Sequence, residues 1–224
     1  MFSLFERVLD DLLERYKLTG ALLRTSQGEY KNTLSRAVRD KWRRKDWYDI
    51  YLPRYFGETK VGETPSEDSQ KLMGRVYETT LAQITGDFSQ EYLKLYFQVT
   101  GVDESTAQTV FKGHEYLRDY LRSLVRRRST KVDGFFRITT IDGYRLKIVV
   151  TALTNTRIKT SQERAIRDIM SAVVEEKAKT LEFGQIVHEM VLGKLASDVY
   201  NEARKVTALR HVGVRKSELL AMPN

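Results

Sequence analysis

The chain has 224 residues, of which 30% are charged and 41% hydrophobic, with a net charge of +8 and a pI near 9.5. This composition supports a real core and excludes global disorder, and the length suits one large domain or a domain with appendages. A basic chain is typical of nucleic-acid binders, although it also suits anionic lipid. The absence of cysteine excludes disulfides and zinc ribbons, and no apolar run approaches the roughly 20 residues of a membrane span. Because no signal peptide is evident, we expect a cytoplasmic protein.

Residues 1–34 form the first predicted region. Apolar residues at helical spacing indicate an amphipathic helix over residues 2–18, and a connector containing Gly, Thr and Ser follows over 19–32. The region holds five basic and five acidic side chains, so it carries no net charge. We therefore expect it to contribute little to binding a polyanion.

Strand signals dominate residues 46–151. A short aromatic run ends at Pro53, and residues 76–84 are rich in β-branched and aromatic side chains. Residues 93–99 alternate between apolar and mixed positions, which indicates one buried face. Asp142-Gly143 between two further strand-like runs predicts a hairpin.

After residue 160 the hydrophobic period becomes helical. Thr160 and Glu163 have the spacing of a capping box, and two helical stretches follow up to about residue 206. A basic, strand-like segment over 209–216 precedes the C-terminal tail. Strands followed by helices predict an α+β fold, an antiparallel, partly closed β-barrel-like domain with flanking C-terminal helices and an N-terminal amphipathic helix.

The positive charge is concentrated in two places. Residues 36–45 hold six basic side chains against one acidic, and residues 118–147 hold nine against three. The second concentration overlaps residues 111–133, and within this stretch we predict a helix with a buried apolar stripe on one side and basic side chains on the others. The stripe is Leu117, Tyr120, Leu121, Leu124 and Val125. The basic side chains are Arg118, Arg122, Arg126, Arg127, Arg128 and Lys131. Arginine forks fit phosphate, whereas a helix dipole alone accounts for only one or two of these cations.

Aromatic rings lie among cations in the string KWRRKDWYDIY at residues 41–51. Rings next to cations can stack on unpaired bases while the cations hold phosphate. The candidate RNA-binding residues here are Lys41, Trp42, Arg43, Arg44 and Lys45. For Trp47, the start of a core strand is the interpretation we favour.

Signals for catalysis are weak. His114, Glu115 and Asp119 would form an acid/base cluster, but such a group is more often structural. The three histidines lack metal-ligand spacing, and no phosphate loop or nucleophile elbow occurs. We therefore predict no catalytic residue, no metal and no cofactor.

Several strings carry a family resemblance. They are VRDKW (38–42), GETP (62–65), GRVYETTL (74–81), TGDFS (85–89), LKLYFQV (93–99), FKGHEYLRDYLRSLVRRRSTKVDG (111–134), TTIDGYRL (139–146), KTSQERAIRDIM (159–170) and GKLASDVYNEA (193–203). Over residues 38–220 the chain resembles the archaeal type of the small-subunit ribosomal protein family e-S-one, formerly S-three-a-e. Residues 1–34 depart from the short basic N-terminus usual in that family, which suggests a lineage-specific helix or an upstream start codon.

The resemblance implies a structural, rRNA-binding protein of the cytoplasmic small ribosomal subunit, with no enzymatic activity. Its expected place is the platform near the mRNA exit, in contact with the 3′ region of the rRNA, neighbouring ribosomal proteins and mRNA, and away from any membrane. Residues 35–224 are then one rRNA-binding domain. The family's RNA contacts map onto Lys112, Arg118, Arg122, Arg126, Arg127, Arg128, Lys131, Lys159, Arg164 and Arg167.

Two other classes of protein remain open. An accessory factor that visits the ribosome or mRNA would share the basic patches but would need a self-sufficient core, and it would leave subunits in moderate salt. A nuclease would need a convergent cluster of carboxylates or histidines, which the sequence does not indicate.

Overall fold

The computed structural model describes residue 42 and residues 44–223. The chain divides into a unit that ends at Asp46 and a unit that begins at Trp47, and each is considered by itself. The predicted N-terminal helix, Lys41 and Arg43 lie outside the described residues. Within the described part of the chain, every helix is too short or too polar to cross a bilayer.

The described residues form an α+β fold. The strands are β1 (Asp46–Tyr51), β2 (Lys60–Ser66), β3 (Val76–Thr80), β4 (Leu93–Asp103), β5 (Thr106–Tyr116), β6 (Lys131–Thr139), β7 (Arg145–Thr154) and β8 (Leu209–Ala221). The α-helices are α1 (Leu81–Thr85), α2 (Arg118–Leu124), α3 (Thr160–Thr180), α4 (Phe183–Val191) and α5 (Lys194–Ala203). Single 3₁₀ turns occur at Arg54–Phe56, Ser69–Leu72 and Phe88–Gln90.

The strands form one branched sheet. β3, β4, β5, β8, β7 and β6 lie side by side, and each neighbouring pair is antiparallel. β4 covers one edge of β5, while β1 and β8 share the other edge, β1 at the start of the strand and β8 near its end. The β1–β5 pair is parallel, which is an exception to the predicted antiparallel sheet. Among the described strands, no ladder joins β2 to β6, so hydrogen bonds do not close the sheet.

The main core lies between one face of the sheet and the three C-terminal helices. The predicted inward residues of β4 are at most 3% exposed, which confirms the alternation of residues 93–99. In β7, Leu146, Ile148 and Val150 are fully buried on the same side. α3 packs on β6 through Ile166 and Met170, and α5 packs on β8. A smaller cluster around Leu72 and Tyr48 fills the space beside the start of β5.

The hairpin and helix boundaries agree with the sequence within a few residues. The β6–β7 hairpin is confirmed, and Gly143 adopts the positive φ of 81° that its turn requires. The capping residue of α3 is Lys159, one residue before the predicted Thr160, and the Gln162 side chain accepts a hydrogen bond from Lys159 N at 3.1 Å. The second predicted helical stretch is two helices, since Gly193 takes a left-handed conformation (φ 83°) between them.

The helix predicted within residues 111–133 is confirmed only over the part that carries Arg118 and Arg122. Residues 111–116 complete β5, and α2 is confined to Arg118–Leu124. Val125 is extended, so the three arginines that follow it are not helical. The predicted apolar stripe is half-buried at best, with Val125 48% exposed. Its anchor is Tyr120, whose ring stacks on Tyr92 with centroids 4.0 Å apart.

The prediction for Trp47 is half right. The residue begins β1, but its side chain is 58% exposed. Successive side chains of a strand point to opposite faces, and Tyr48 and Ile50 occupy the buried face. Trp47 is therefore a surface residue of a core strand.

Only three residue pairs, Gly113–Glu218, His114–Ser217 and Glu115–Lys216, join β5 to β8. The buried imidazole of His114 locks this short junction. Ser217 Oγ donates to His114 Nδ1 at 2.6 Å, and His114 Nε2 donates to Val214 O at 3.0 Å. A Cβ on Gly113 would lie 2.3 Å from Ser217 O, so the strands approach this closely only because residue 113 is glycine.

We predict that His114 makes the stability of the fold depend on pH. Burial lowers its pKa from the ordinary 6.5 to about 4, against the opposing hydrogen bond to Val214. Between these values the unfolded chain binds a proton that the folded protein does not. The free energy of unfolding should therefore fall by about 3 kcal/mol from this group as the pH drops from 7 to 4.

The measurement is urea unfolding as a function of pH for the wild type and for His114→Leu. Burial lowers the pKa of His211 as well, so the difference between the two proteins isolates His114. The wild type should lose more stability than the variant over this interval. Parallel curves would show that folding does not lower the pKa of His114, as expected only if the ring is accessible to solvent.

Candidate nucleic-acid interface

The three consecutive arginines lie in an exposed turn between α2 and β6. Ser129 Oγ donates to Arg126 O at 2.6 Å, and Arg128 takes a left-handed φ of 62°. Serine hydroxyls compete with helical hydrogen bonds in this way, and three adjacent like charges also disfavour a helix. The hydrogen bond between Ser129 and Arg126 closes the turn, and the side chains of Arg126, Arg127 and Arg128 are exposed to solvent.

The connection between β7 and α3 lies beside this turn, and two threonines hold the segments together. Thr154 N donates to Thr130 O at 3.0 Å, and Thr130 N donates to Thr154 Oγ at 2.9 Å. The Thr154 hydroxyl donates in turn to Thr156 O at 2.6 Å, and Ile158 N donates to Thr130 Oγ at 3.2 Å. Because Thr154 is fully buried, its hydrogen bonds form away from water.

The two segments enclose a polar cleft of about 580 Å³, which we call the cationic cleft. Its lining is Arg128, Ser129, Thr130, Lys131, Arg157, Ile158, Lys159, Thr160 and Glu163. Lys131 is paired with Asp133 at 2.8 Å. Glu163 is paired with Arg167 at 3.2 Å, so its charge is largely offset. Across residues 44–223, no carboxylate forms an ion pair with the other three cations of the cleft, Arg128, Arg157 and Lys159. The cleft is thus an uncompensated positive site.

The structure brings together only part of the predicted set. Arg128, Lys131 and Lys159 line the cleft, although 28 residues separate Lys131 from Lys159. The cleft lining excludes Arg126 and Arg127, which share the exposed turn with Arg128. The remaining predicted cations of this unit, which also lie outside the lining, are Lys112, Arg118, Arg122, Arg164 and Arg167.

These remaining cations occupy three elements. Lys112 is half-buried in β5, and Arg118 and Arg122 are exposed on α2. Arg164 is exposed on α3. Arg167 is half-buried and donates to Asp133 O at 3.3 Å, so it ties α3 to β6 as well as pairing with Glu163.

Arg157 is the cleft residue that sequence reasoning missed. It lies in the string TNTRIKT, in which Lys159 is the only other charged residue. Its place in the cleft follows from the Thr130–Thr154 contact, which the sequence does not reveal. The one available signal was its position two residues before the predicted Lys159.

In the preceding unit, the structure describes Trp42, Arg44 and Lys45. The Trp42 ring is 61% exposed, and Lys45 Nζ lies 4.4 Å from its centroid. A cation at this distance is attracted to the ring face. A base that stacked on that face would have to displace Lys45.

The structure argues against the alternative of an acid/base cluster. His114 is fully buried and both ring nitrogens are hydrogen-bonded within the sheet junction, whereas Asp119 is exposed on α2. Within residues 44–223, no group of three His, Asp or Glu side chains is arranged to hold a metal ion.

We predict that the Thr130–Thr154 contact stabilises the cleft. Thr154→Val keeps the shape of the buried Thr154 side chain but leaves the half-buried Thr130 N–H without its acceptor, which costs about 1–3 kcal/mol. Urea unfolding measures this loss. Thr139→Val, at an exposed position of β6, is the matched control and should change stability by less than about 0.5 kcal/mol. Equal stability of the two variants would show that the threonine contact does not hold the segments together.

Comparison with known proteins gives a consistent family. The Ribosomal S3Ae family model matches residues 33–223. "Small ribosomal subunit protein eS1" of Staphylothermus marinus is 50% identical over 187 residues, which are 84% of this chain and 88% of that protein. The protein of the same name from Aeropyrum pernix is 48% identical over 190 residues, 83% of this chain and 89% of its own length. That from Archaeoglobus fulgidus is 46% identical over 188 residues, covering 83% of this chain and 89% of that protein. The chain therefore belongs to the Ribosomal S3Ae family.

Proposed function

We propose that the protein is a structural constituent of the small ribosomal subunit and holds rRNA backbone in the cationic cleft. The observation that carries the cleft assignment is the convergence of Arg128, Arg157 and Lys159 with no carboxylate partner among residues 44–223. The subunit assignment rests on family membership and on relatives of about 50% identity that are named as small-subunit proteins. Membership of a ribosomal protein family agrees with the expectation that the chain is not an enzyme.

The chemistry of the cleft fits phosphate. Arginine presents planar N–H donors that pair with two oxygens at once, and it stays charged at every physiological pH. Lysine adds a point charge that tolerates several backbone geometries. The lining also offers the hydroxyls of Ser129, Thr130 and Thr160. Hydroxyls beside cations are common contacts to the sugar–phosphate backbone. These contacts position RNA and carry no sequence information.

The finer placement is part of the same proposal. The resemblance of the sequence to its family favours the platform near the mRNA exit and the 3′ region of the rRNA. It also favours a sheet that curls into a partly closed barrel. Register shifts in the β4–β5 and β7–β8 pairs support such curling, because bulges bend strands and increase their twist.

We predict that removing two cations of the cleft weakens rRNA binding in a salt-dependent way. Arg157→Gln/Lys159→Gln should flatten the slope of log K against log salt by about 0.7 to 0.9 for each lost phosphate contact. Lys179→Gln/Arg204→Gln removes the same charge from exposed positions of the α3 and α5 termini and is the matched control. Filter binding to small-subunit rRNA over a range of salt concentrations measures both. An equal change in slope for the two double variants would show that only net charge matters.

A structural constituent should also stay with its subunit when salt is high. We expect the native protein to remain stoichiometric with the small subunit through a high-salt sucrose gradient, measured by quantitative mass spectrometry. Other proteins of the small subunit serve as the internal standard. Release at moderate salt as a stable monomer would favour an accessory factor instead.

A further inference from the structure

A second RNA-facing feature lies on the outer face of the sheet. Phe135 in β6 is 67% exposed, although its neighbours Gly134 and Phe136 are buried or half-buried. Beside its ring is a small cleft of about 180 Å³ lined by Phe135, Lys147, Val149, Arg215, Lys216 and Glu218. We call this feature the Phe135 platform. It has an apolar floor, one open aromatic ring, three cations and one carboxylate.

The register of the sheet explains how the platform forms. Phe135 is opposite Val149, and Val149 is opposite Lys216, so the three side chains form one row across β6, β7 and β8. Two residues further along the strands, on the same face, Lys147 is opposite Glu218. Side chains on one face of adjacent strands stand close enough to form a continuous surface.

A β-bulge places Arg215 on the same face as the rest of the platform. The β7–β8 register shifts between Val149 and Val150, where the partner on β8 changes from Lys216 to Val214 and Arg215 is the extra residue. Strict alternation would place Arg215 and Lys216 on opposite faces, but both line the platform. Lys216 is paired with Glu115 at 3.2 Å, while no carboxylate in residues 44–223 forms an ion pair with Arg215 or Lys147.

The platform continues from the cationic cleft. Lys131, which lines the cleft, and Phe135 lie on the same face of β6, because four residues separate them and the β6–β7 register is regular. Four residues of strand span about 13 Å. Arg137 lies on the same face of β6, two residues beyond Phe135. A chain of phosphates that leaves the cleft along β6 therefore passes the open ring.

From this geometry we infer that Phe135 stacks on an unpaired base of an RNA strand whose phosphates contact Lys147 and Arg215. Paired bases present no free face to a side chain, whereas single-stranded bases stack on aromatic rings while cations track the backbone. The inference rests on the proposed function and specifies it further, since it states that the RNA here is single-stranded. Every base has an aromatic face, so the platform distinguishes single-stranded from paired RNA and does not distinguish one base from another.

The test compares a fluorescein-labelled oligouridylate with an RNA duplex of equal length, using the full chain. Phe135→Ala should weaken oligouridylate binding about 5- to 100-fold, the range for loss of one base–aromatic stack, and leave duplex binding unchanged. Phe135→Tyr should restore the affinity. Phe88→Ala removes a phenylalanine that is 85% exposed outside the platform, and it should have no effect. A thermal melt of each variant checks that the fold is intact.

Several outcomes would overturn the inference. Unchanged oligouridylate binding in Phe135→Ala would show that Phe135 does not stack on a base. The proposal that the protein binds rRNA would still stand if the wild type bound the duplex with a steep salt dependence. Unchanged RNA binding together with poor entry into subunits would identify the platform as a contact with a neighbouring protein. Failure of the wild type to bind either RNA would contradict the proposed function itself.

Discussion

The short β5–β8 junction is the constraint on which the rest of the structure depends. It joins the strands that precede residue 117 to those that follow residue 130 through three residue pairs. Such a short ladder is weak by itself, and the structure reinforces it with one buried imidazole. His114 accepts from Ser217 and donates to Val214, while Gly113 permits the close backbone approach. Every polar atom of the ring is satisfied, which is the condition under which a buried polar group stabilises a core.

The cationic cleft and the Phe135 platform, the two surfaces proposed to bind RNA, inherit their geometry from this sheet. The β6–β7 ladder brings Thr130 next to Thr154, and this contact sets the two walls of the cationic cleft. The β7–β8 ladder and its bulge place Arg215 beside Phe135. The platform is therefore built on strand register, and the cleft on two short segments that hydrogen bonds fix at the end of a strand pair. A binding surface of this kind is pre-organised, so RNA binding requires little ordering of the protein.

The sequence predicted the features that depend on local pattern. The alternation of β4, the Asp142-Gly143 hairpin and the amphipathic C-terminal helices are each readable over a few residues, because period and turn chemistry are local properties. The helix predicted within residues 111–133 is shorter than expected, because Val125 is extended and the three arginines that follow it are not helical. The stacking of Tyr120 on Tyr92, which directly precedes β4, anchors only the short α2. No local pattern reveals such a contact.

The candidate site shows the same division. Charge clustering identified Arg128, and family resemblance identified Lys159, but neither identified Arg157 or the Phe135 platform. The place of Arg157 depends on the contact between Thr130 and Thr154, and the platform depends on the β7–β8 pairing and its bulge. Arg167, which the family resemblance predicts to contact RNA, binds Glu163 and Asp133 O within the fold. A cation can serve the fold or a partner, and its neighbours in space decide between the two.

A cryo-electron microscopy structure of the assembled small subunit that contains this protein would test the role of the cationic cleft. We expect rRNA phosphate oxygens within about 3 Å of Arg128, Arg157 and Lys159, the distance of a charge-assisted hydrogen bond. This expectation would be contradicted if the cationic cleft faced open solvent or the surface of another protein while the rRNA contacted a different side of the fold.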